Sequence, residues 1–442
     1  MTTAKTSAVK ISPARAAAFR ILVSVAEGAH SDDLIFAPAV TALSGQDRNL
    51  TMALVMGVLR WQISLDAAAG ALLDRPLQKM TPEVMVALRM GLFQLWYLDR
   101  IPDHAAISES VELCRAANHA YATGMVNAVL RKLARAGKPE ALKRKLVLTP
   151  QFLAEEYAHP AWMVARWFKT YGVAATEKIL SADQSASFAT THGASEESEP
   201  DGEPTIASLF VESAQKPQWP VIDEGSRLIA ELAATGTAAK ILDCCAAPGG
   251  KTLVIALRRA DAAITAADNS TERLTRMQQR LRKFPYATKV QCELLDATKL
   301  KIAAQYDRIL CDVPCSGTGT LARNPEIRHR LRAADLSLQA KRQRAILGSA
   351  LAALAPGGRL IYSTCSLEPE ENEQVVETVL AVTHGVRVLP VENSLHDLAA
   401  TGVLTGEAEA MLTSTAVRGN YLRTLPGVHP CDGFFAAVIE KV

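Results

Sequence analysis

Apolar residues recur at helical spacing from Pro13 to about position 145. Ala18, Ile21, Leu22 and Val25 set the pattern within 15–27, and stretches 49–71, 82–98, 105–117 and 124–136 repeat it. This predicts an all-α bundle over residues 1–147. The next helical stretch, 148–180, contains His159-Pro160-Ala161-Trp162 and Arg166-Trp167-Phe168-Lys169. Pro160 suits a helix start, and the mixture of Trp, Arg and Lys suits a docking helix or, less well, an RNA-stacking surface. From 183 to 205 apolar residues thin out, and the acidic run Ser195 to Pro204 reads as a flexible linker within a connecting region, 148–220.

Beyond that linker the period changes. Asp223 is placed to cap a helix running to Leu232. Strand-length apolar runs (240–245, 263–267, 289–295, 307–311, 358–363) then alternate with helical ones (251–259, 271–283, 333–355, 370–383). Such alternation predicts a mostly parallel, doubly wound sheet over 221–442, with ligands bound outside the carboxyl ends of its strands. Segments 386–389 and 433–440 are expected to add a hairpin edge.

Composition narrows the class. The chain has 442 residues, 49% of them hydrophobic, and a net charge of +2. No apolar run approaches the ~20 residues of a membrane span, and the N-terminus lacks the apolar core of a secretory signal, so a cytoplasmic protein without membrane contact is expected. Residues 1–150 hold 18 Lys+Arg against 12 Asp+Glu, a balance of +6, which leaves −4 for the rest. A basic first third suits nucleic acid, as would a plain solvated helical surface, with Arg15, Arg20, Arg48, Arg60, Arg131, Lys132 and Arg135 as candidate phosphate contacts. Of the eight cysteines, seven lie from Cys244 onward; none forms a Cys-x-x-Cys pair, so neither a metal site nor a disulfide framework is expected. Cys114, Cys292 and Cys311 read as buried free thiols.

The candidate chemistry gathers where predicted strands end. After Ile241-Leu242-Asp243-Cys244 comes the tight loop Cys245-Ala246-Ala247-Pro248-Gly249-Gly250-Lys251, opening a helix at Thr252. Its glycines permit close backbone approach, and the helix start favours a carboxylate or phosphate. It is not a P-loop, because position 245 is cysteine rather than glycine, and the third glycine of a dinucleotide fingerprint is absent. Asp268, Asp296 and Asp312 each follow an apolar run. An acid after the second strand is suited to the two ribose hydroxyls, the role expected of Asp268. Two thiols sit just past strands: Cys315 in Asp312-Val313-Pro314-Cys315-Ser316-Gly317-Thr318-Gly319, and Cys365 in Tyr362-Ser363-Thr364-Cys365-Ser366. The basic run Arg323 to Arg332, with Lys341, Arg342 and Arg344, is the strongest cationic cluster and is expected to contact phosphate.

The 245–251 loop resembles the S-adenosylmethionine loop of the RNA 5-methylcytosine methyltransferases. Ile101 to Leu113 and Met125 to Arg131 resemble helices of the NusB-type antitermination domain, an RNA-binding bundle. Together they resemble the Sun/Fmu type of 16S ribosomal RNA cytosine carbon-5 methyltransferase. The resemblance implies a NusB-like bundle followed by a seven-stranded, Rossmann-like methyltransferase domain that uses S-adenosylmethionine. Its substrate would be 16S rRNA before 30S assembly, at cytosine 967 in the usual 16S numbering, with no obligate protein partner. It implies that the Gly-loop backbone holds the amino-acid moiety, that Asp296 lies by the adenine amino group, and that Asp312 lies near the methionine end or the target base. Cys365 is implied as the nucleophile on carbon 6 and Cys315 as an aid to product release, although DNA cytosine methyltransferases attack with the Pro-Cys thiol. Transfer RNA as substrate, or a catalytically inert assembly factor, are the alternatives. Two departures stand out: the connecting region retains only a reduced form of the ferredoxin-like subdomain usual in relatives, and His329 stands where they carry tryptophan.

Overall fold

A computed structural model describes residues 11–74, 76, 79–139, 148–185, 208–211, 219–300 and 303–442. Most of the acidic linker therefore lies outside the described residues. The chain divides into two compact units: residues 1–185 with 321–330, and 186–320 with 331–442.

The first unit is helical: α1 Pro13–Ala26, α2 Ser31–Ile35, α3 Pro38–Thr41, α4 Gly45–Gly70, α5 Pro82–Tyr97, α6 Asp103–Ala116, α7 Thr123–Ala136, α8 Pro150–Glu156 and α9 Ala161–Gln184. Each apolar stripe read in the sequence becomes a buried face. In α7, Val126, Val129, Leu130 and Leu133 face the core at i, i+3, i+4 and i+7, while Arg131, Lys132 and Arg135 face outward or lie at its edge. By length and composition alone α4 could cross a bilayer, more than the sequence reading allowed. Its Leu54, Val55, Val58, Leu59 and Leu65 instead form part of the bundle core, which is why its apolarity needs no lipid. The unit continues past 147 through α8 and α9, the latter broken at Gly172, and Trp167 is buried within it.

The second unit holds α10 Glu224–Ala234, β1 Lys240–Asp243, α11 Gly250–Arg258, β2 Ala263–Asp268, α12 Thr271–Leu281, β3 Gln291–Leu294 and β4 Tyr306–Asp312. After the short helix α13, Ile327–Arg330, which belongs to the first unit, come α14 Ala333–Ala353, β5 Leu354–Thr364, α15 Glu373–Leu380 and β6 Val386–Leu389. The chain closes with α16 Val391–Ala400, α17 Gly406–Thr415, β7 Val417–Arg418, β8 Tyr421–Arg423 and β9 Phe435–Lys441. Asp223 caps α10 through the backbone N–H groups of Gly225 and Ser226. Strands β3-β2-β1-β4-β5 are parallel neighbours in that order, and β9 pairs antiparallel with both β5 and β6. These seven strands make the expected sheet. The hairpin β7–β8, joined to the start of β9, and the helices α16 and α17 were not legible in the sequence.

Both faces of the sheet are covered. Successive residues enter different cores: Ile241, Ile264, Leu310 and Ile361 one, Leu242, Ile309, Leu360 and Tyr362 the other. Continuous apolar runs, rather than alternation, are what strands covered on both faces require.

For Arg328, His329 and Arg330, within the cationic run 323–332, the structure corrects the phosphate reading. Residues 321–330 belong to the helical unit. Arg328 is 2% exposed and donates to the carbonyls of Arg60 and Asp183; Arg330 donates to the carbonyls of Val25, Gly28 and Ala29 at the end of α1. The Nε2 of His329 lies 2.7 Å from the Leu59 carbonyl, and burial pushes its pKa down to about 3, leaving a neutral ring. Glu326 accepts from Ser31 N at 3.0 Å and Ser31 Oγ at 2.8 Å. Sequence could not show this, because the partners are backbone carbonyls, and the residue names of their bearers give no sign of them.

Candidate active site

The cleft lies at the carboxyl edge of the parallel strands, as the alternation predicts. Counting its open mouth it holds about 690 Å³. It is lined by Cys245 and Ala247 of the Gly loop, Asp268 at the end of β2, Asp296 after β3, Asp312 at the end of β4, Cys315 and Cys365. Ala246, Pro248, Gly249, Gly250 and Lys251 do not line it, but they shape the turn that does. Gly249 has φ +90°, and a Cβ there would sit 2.8 Å from Cγ of Met277 on α12, so the residue has both a conformational and a packing reason to be glycine.

The three acids differ in what they hold. Asp268 is buried and receives Ser270 N and an Arg273 guanidinium nitrogen, both at 2.9 Å and both on Oδ1. Asp296 is exposed; hydrogen bonds from Thr298 Oγ1 at 2.7 Å and Thr298 N at 2.9 Å hold its carboxyl below the usual carboxylate range. Asp312 accepts from Ser363 Oγ at 2.8 Å and pairs with Lys251 Nζ at 2.7 Å. Burial alone would pull the Lys251 ammonium down, but the Asp312 pair more than offsets it, so the net shift is upward.

The two thiols meet. Cys315 Sγ and Cys365 Sγ are 3.3 Å apart. The hydrogen bond to Cys365, burial, and the charges on Cys365 and Glu371 push the Cys315 thiol well above its ordinary value, so it stays protonated at neutral pH. Their loops are also tied by backbone: Gly319 N donates to Cys365 O at 2.8 Å, and Gly433 N to Gly319 O at 2.8 Å. A Cβ on Gly319 would stand 2.2 Å from Gly433 O, so only glycine permits the approach. Cys244 and Cys311, also 3.3 Å apart, are fully buried, as is Cys114, whereas Cys292 is partly exposed because only one face of its short edge strand is covered.

Two residues escaped the sequence reading. Asp243 ends β1, is buried, accepts from Thr252 Oγ1 at 2.7 Å, and its Oδ1 has no hydrogen-bond partner among the described residues. Burial pushes its pKa up to about 7, with Asp312 adding to the effect and Thr252 opposing it. The signal that marked the other strand-end acids was present there too. Arg342 on α14 lines the same cleft and was read only as part of a basic cluster.

A sheet in the order β3-β2-β1-β4-β5-β9-β6 with a Gly turn after β1 is the methyltransferase fold, and the crystal structure of PH0851 shares it with a TM-score of 0.72 at 20% identity, covering 98% of this chain and 100% of that one. Residues 231–440 match the family of 16S rRNA methyltransferases RsmB/F, and residues 12–135 match the NusB family. The ribosomal RNA small subunit methyltransferase B of Pseudomonas putida is 32% identical, covering 97% of this chain and 98% of its own; that of Xanthomonas campestris is 30% identical, with full coverage of both. The chain belongs to the RsmB/F family of ribosomal RNA methyltransferases, with a NusB-family domain before the catalytic one.

Proposed function

We propose that the protein transfers a methyl group from S-adenosylmethionine to carbon 5 of one cytosine in 16S rRNA, cytosine 967 in the usual numbering, through a covalent bond between Cys365 and carbon 6. The observation that carries this reading is the pair of sulfurs, 3.3 Å apart, on the cleft that also presents Asp312. Carbon 5 of cytosine is a poor nucleophile. Adding a thiolate to carbon 6 makes it the electron-rich carbon of an enamine.

The cleft suits the cofactor. It opens outside the carboxyl ends of the parallel strands, where such folds bind their ligands, and the Gly loop and three strand-end acids line it. In this reading Asp268 accepts from the ribose hydroxyls and Asp296 from the adenine amino group; both line the cleft. When bound, S-adenosylmethionine supplies a methyl group activated by its sulfonium.

The remaining steps belong to the chain. Cys365 attacks as thiolate, with the Lys251 ammonium within electrostatic reach of it. Asp312, which lines the cleft, faces the ring edge, and the Lys251 ammonium paired with it at 2.7 Å steadies negative charge during attack through its field. After transfer, the carbon-5 proton passes to water at the open cleft mouth, its bonding pair becomes the carbon-5–carbon-6 double bond, and the carbon-6–sulfur bond breaks with its electron pair returning to Cys365. Cys315, protonated beside it, assists this release. A cytosine in a duplex must first be extruded at a cost of a few kcal/mol, which favours rRNA not yet folded into the 30S particle, in the cytoplasm.

The test is transfer of labelled methyl from S-adenosylmethionine to unmodified 16S rRNA by wild type, Cys365→Ala and Cys315→Ala. Loss in Cys365→Ala, with an RNA adduct trapped in Cys315→Ala, is expected. Full activity in Cys365→Ala would assign the nucleophile to the other cysteine. Transfer to tRNA but not to 16S rRNA would replace the substrate, and no transfer to either would favour an inert assembly factor.

A further inference from the structure

Glu371 follows β5 in the acidic run Glu368-Pro369-Glu370-Glu371-Asn372-Glu373, which reads as a solvated helix start. The structure buries it completely. A carboxylate taken from water costs several kcal/mol unless hydrogen bonds replace the lost hydration, and here four do. Oε1 accepts from Ser316 N at 2.9 Å and Gln343 Nε2 at 3.0 Å; Oε2 accepts from the hydroxyls of Ser316 and Ser366.

What matters is which loops those donors occupy. Ser316 directly follows Cys315, and Ser366 directly follows Cys365. Gln343, on α14, also donates to the carbonyl of Pro314, which directly precedes Cys315, at 3.0 Å. Glu371 itself is fixed from behind, where the Tyr362 hydroxyl donates to its backbone carbonyl at 2.6 Å. A single buried side chain thus ties the residues next to both active-site thiols.

We propose that Glu371 is a positioning residue for the reaction: its carboxylate clamps the Cys315 and Cys365 loops together, setting the separation of the two sulfurs, and Gln343 completes the clamp. The clamp rests on the covalent reading given above. It also explains why a forked polar side chain persists in a buried position where an apolar residue would cost less: its two terminal polar atoms can hydrogen-bond to both loops at once. The negative charge beside Cys315 further keeps that thiol protonated.

The experiment uses the full-length protein with unmodified 16S rRNA. Glu371→Ala is compared with Glu371→Gln, which keeps an oxygen for Ser316 N and Gln343 and a polar nitrogen that can meet the two hydroxyls. Glu371→Ala is expected to lower kcat about 10²-fold, the usual cost of a misplacement near 1 Å, with KM for RNA and the Kd for S-adenosylmethionine within about twofold of wild type. Glu371→Gln is expected to recover at least about tenfold of that loss. Ser366→Ala, which removes one tie and keeps the carboxylate, provides the readout if Glu371→Ala fails to fold; it too should lower kcat and leave KM unchanged. The clamp is overturned by a folded Glu371→Ala with wild-type kcat, by a Gln variant as impaired as Ala, or by a loss confined to KM. Cys365→Ala, run alongside with 5-fluorocytosine RNA to trap the adduct, tests the covalent reading separately: retention of adduct there would overturn that reading, whatever the Glu371 variants show.

Discussion

At the scale of single residues, the cleft is governed by which charges are buried and what they touch. Asp243 illustrates it. Its folded pKa, about 7, lies above the ordinary 3.8, so the folded state holds the proton more tightly than the unfolded chain. The resulting contribution is fully present below the unfolded pKa and is lost as pH rises through the folded one. Asp243→Asn removes this dependence while keeping an acceptor for Thr252. The stability of the variant relative to wild type should therefore rise between pH 4 and pH 8 by at least about 1 kcal/mol. Thermal or urea unfolding at the two pH values measures it, and a gap that does not change with pH would refute the assignment.

At the scale of elements, the site depends on turns that let two strand ends approach. The loop after β4 and the loop after β5 meet through Gly319, which fits between Cys365 O and the backbone of Gly433. Gly319→Ala forces backbone apart, since the nearest atoms belong to no flexible side chain. We expect methyl transfer to fall by about 10²-fold or more, with the helical unit's melting unaffected. In the Gly loop, Gly249→Ala meets the flexible Met277 and a left-handed φ; a cost of roughly 1–2 kcal/mol and weaker S-adenosylmethionine binding, measured by calorimetry, are expected. Equal affinity in the variant would show that the turn tolerates a Cβ.

At the scale of the whole molecule, charge and sequence position mislead in one place and inform in another. Arg328 and Arg330 lie in the most cationic run of the chain, yet their terminal guanidinium nitrogens donate to carbonyls of the helical unit. Arg328→Ala should destabilise that unit by roughly 2–4 kcal/mol, because it empties the space of a fully buried side chain and removes its donors from the Arg60 and Asp183 carbonyls. It should not change the slope of RNA affinity against salt. Arg342→Ala, at the cleft, should reduce that slope by about 1, as the loss of one phosphate contact does. Filter binding over a salt series separates the two, and a reduced slope in Arg328→Ala would restore the phosphate role.

The sequence by itself determined the helical unit's main helices and the order of parallel strands, because burial on one face or on two imposes a period that a single chain displays. It also located the Gly loop, Asp268, Asp296, Asp312, Cys315 and Cys365, since a site at strand ends inherits the spacing of the strands. Tertiary structure alone decided what is set by long-range hydrogen bonding: that Lys251 pairs with Asp312, that residues 321–330 fold with the helical unit, and that Glu371 lies buried between two loops. Periodicity reports which side of an element is dry; the backbone carbonyl or distant hydroxyl that satisfies a buried charge leaves no mark in the sequence near that charge.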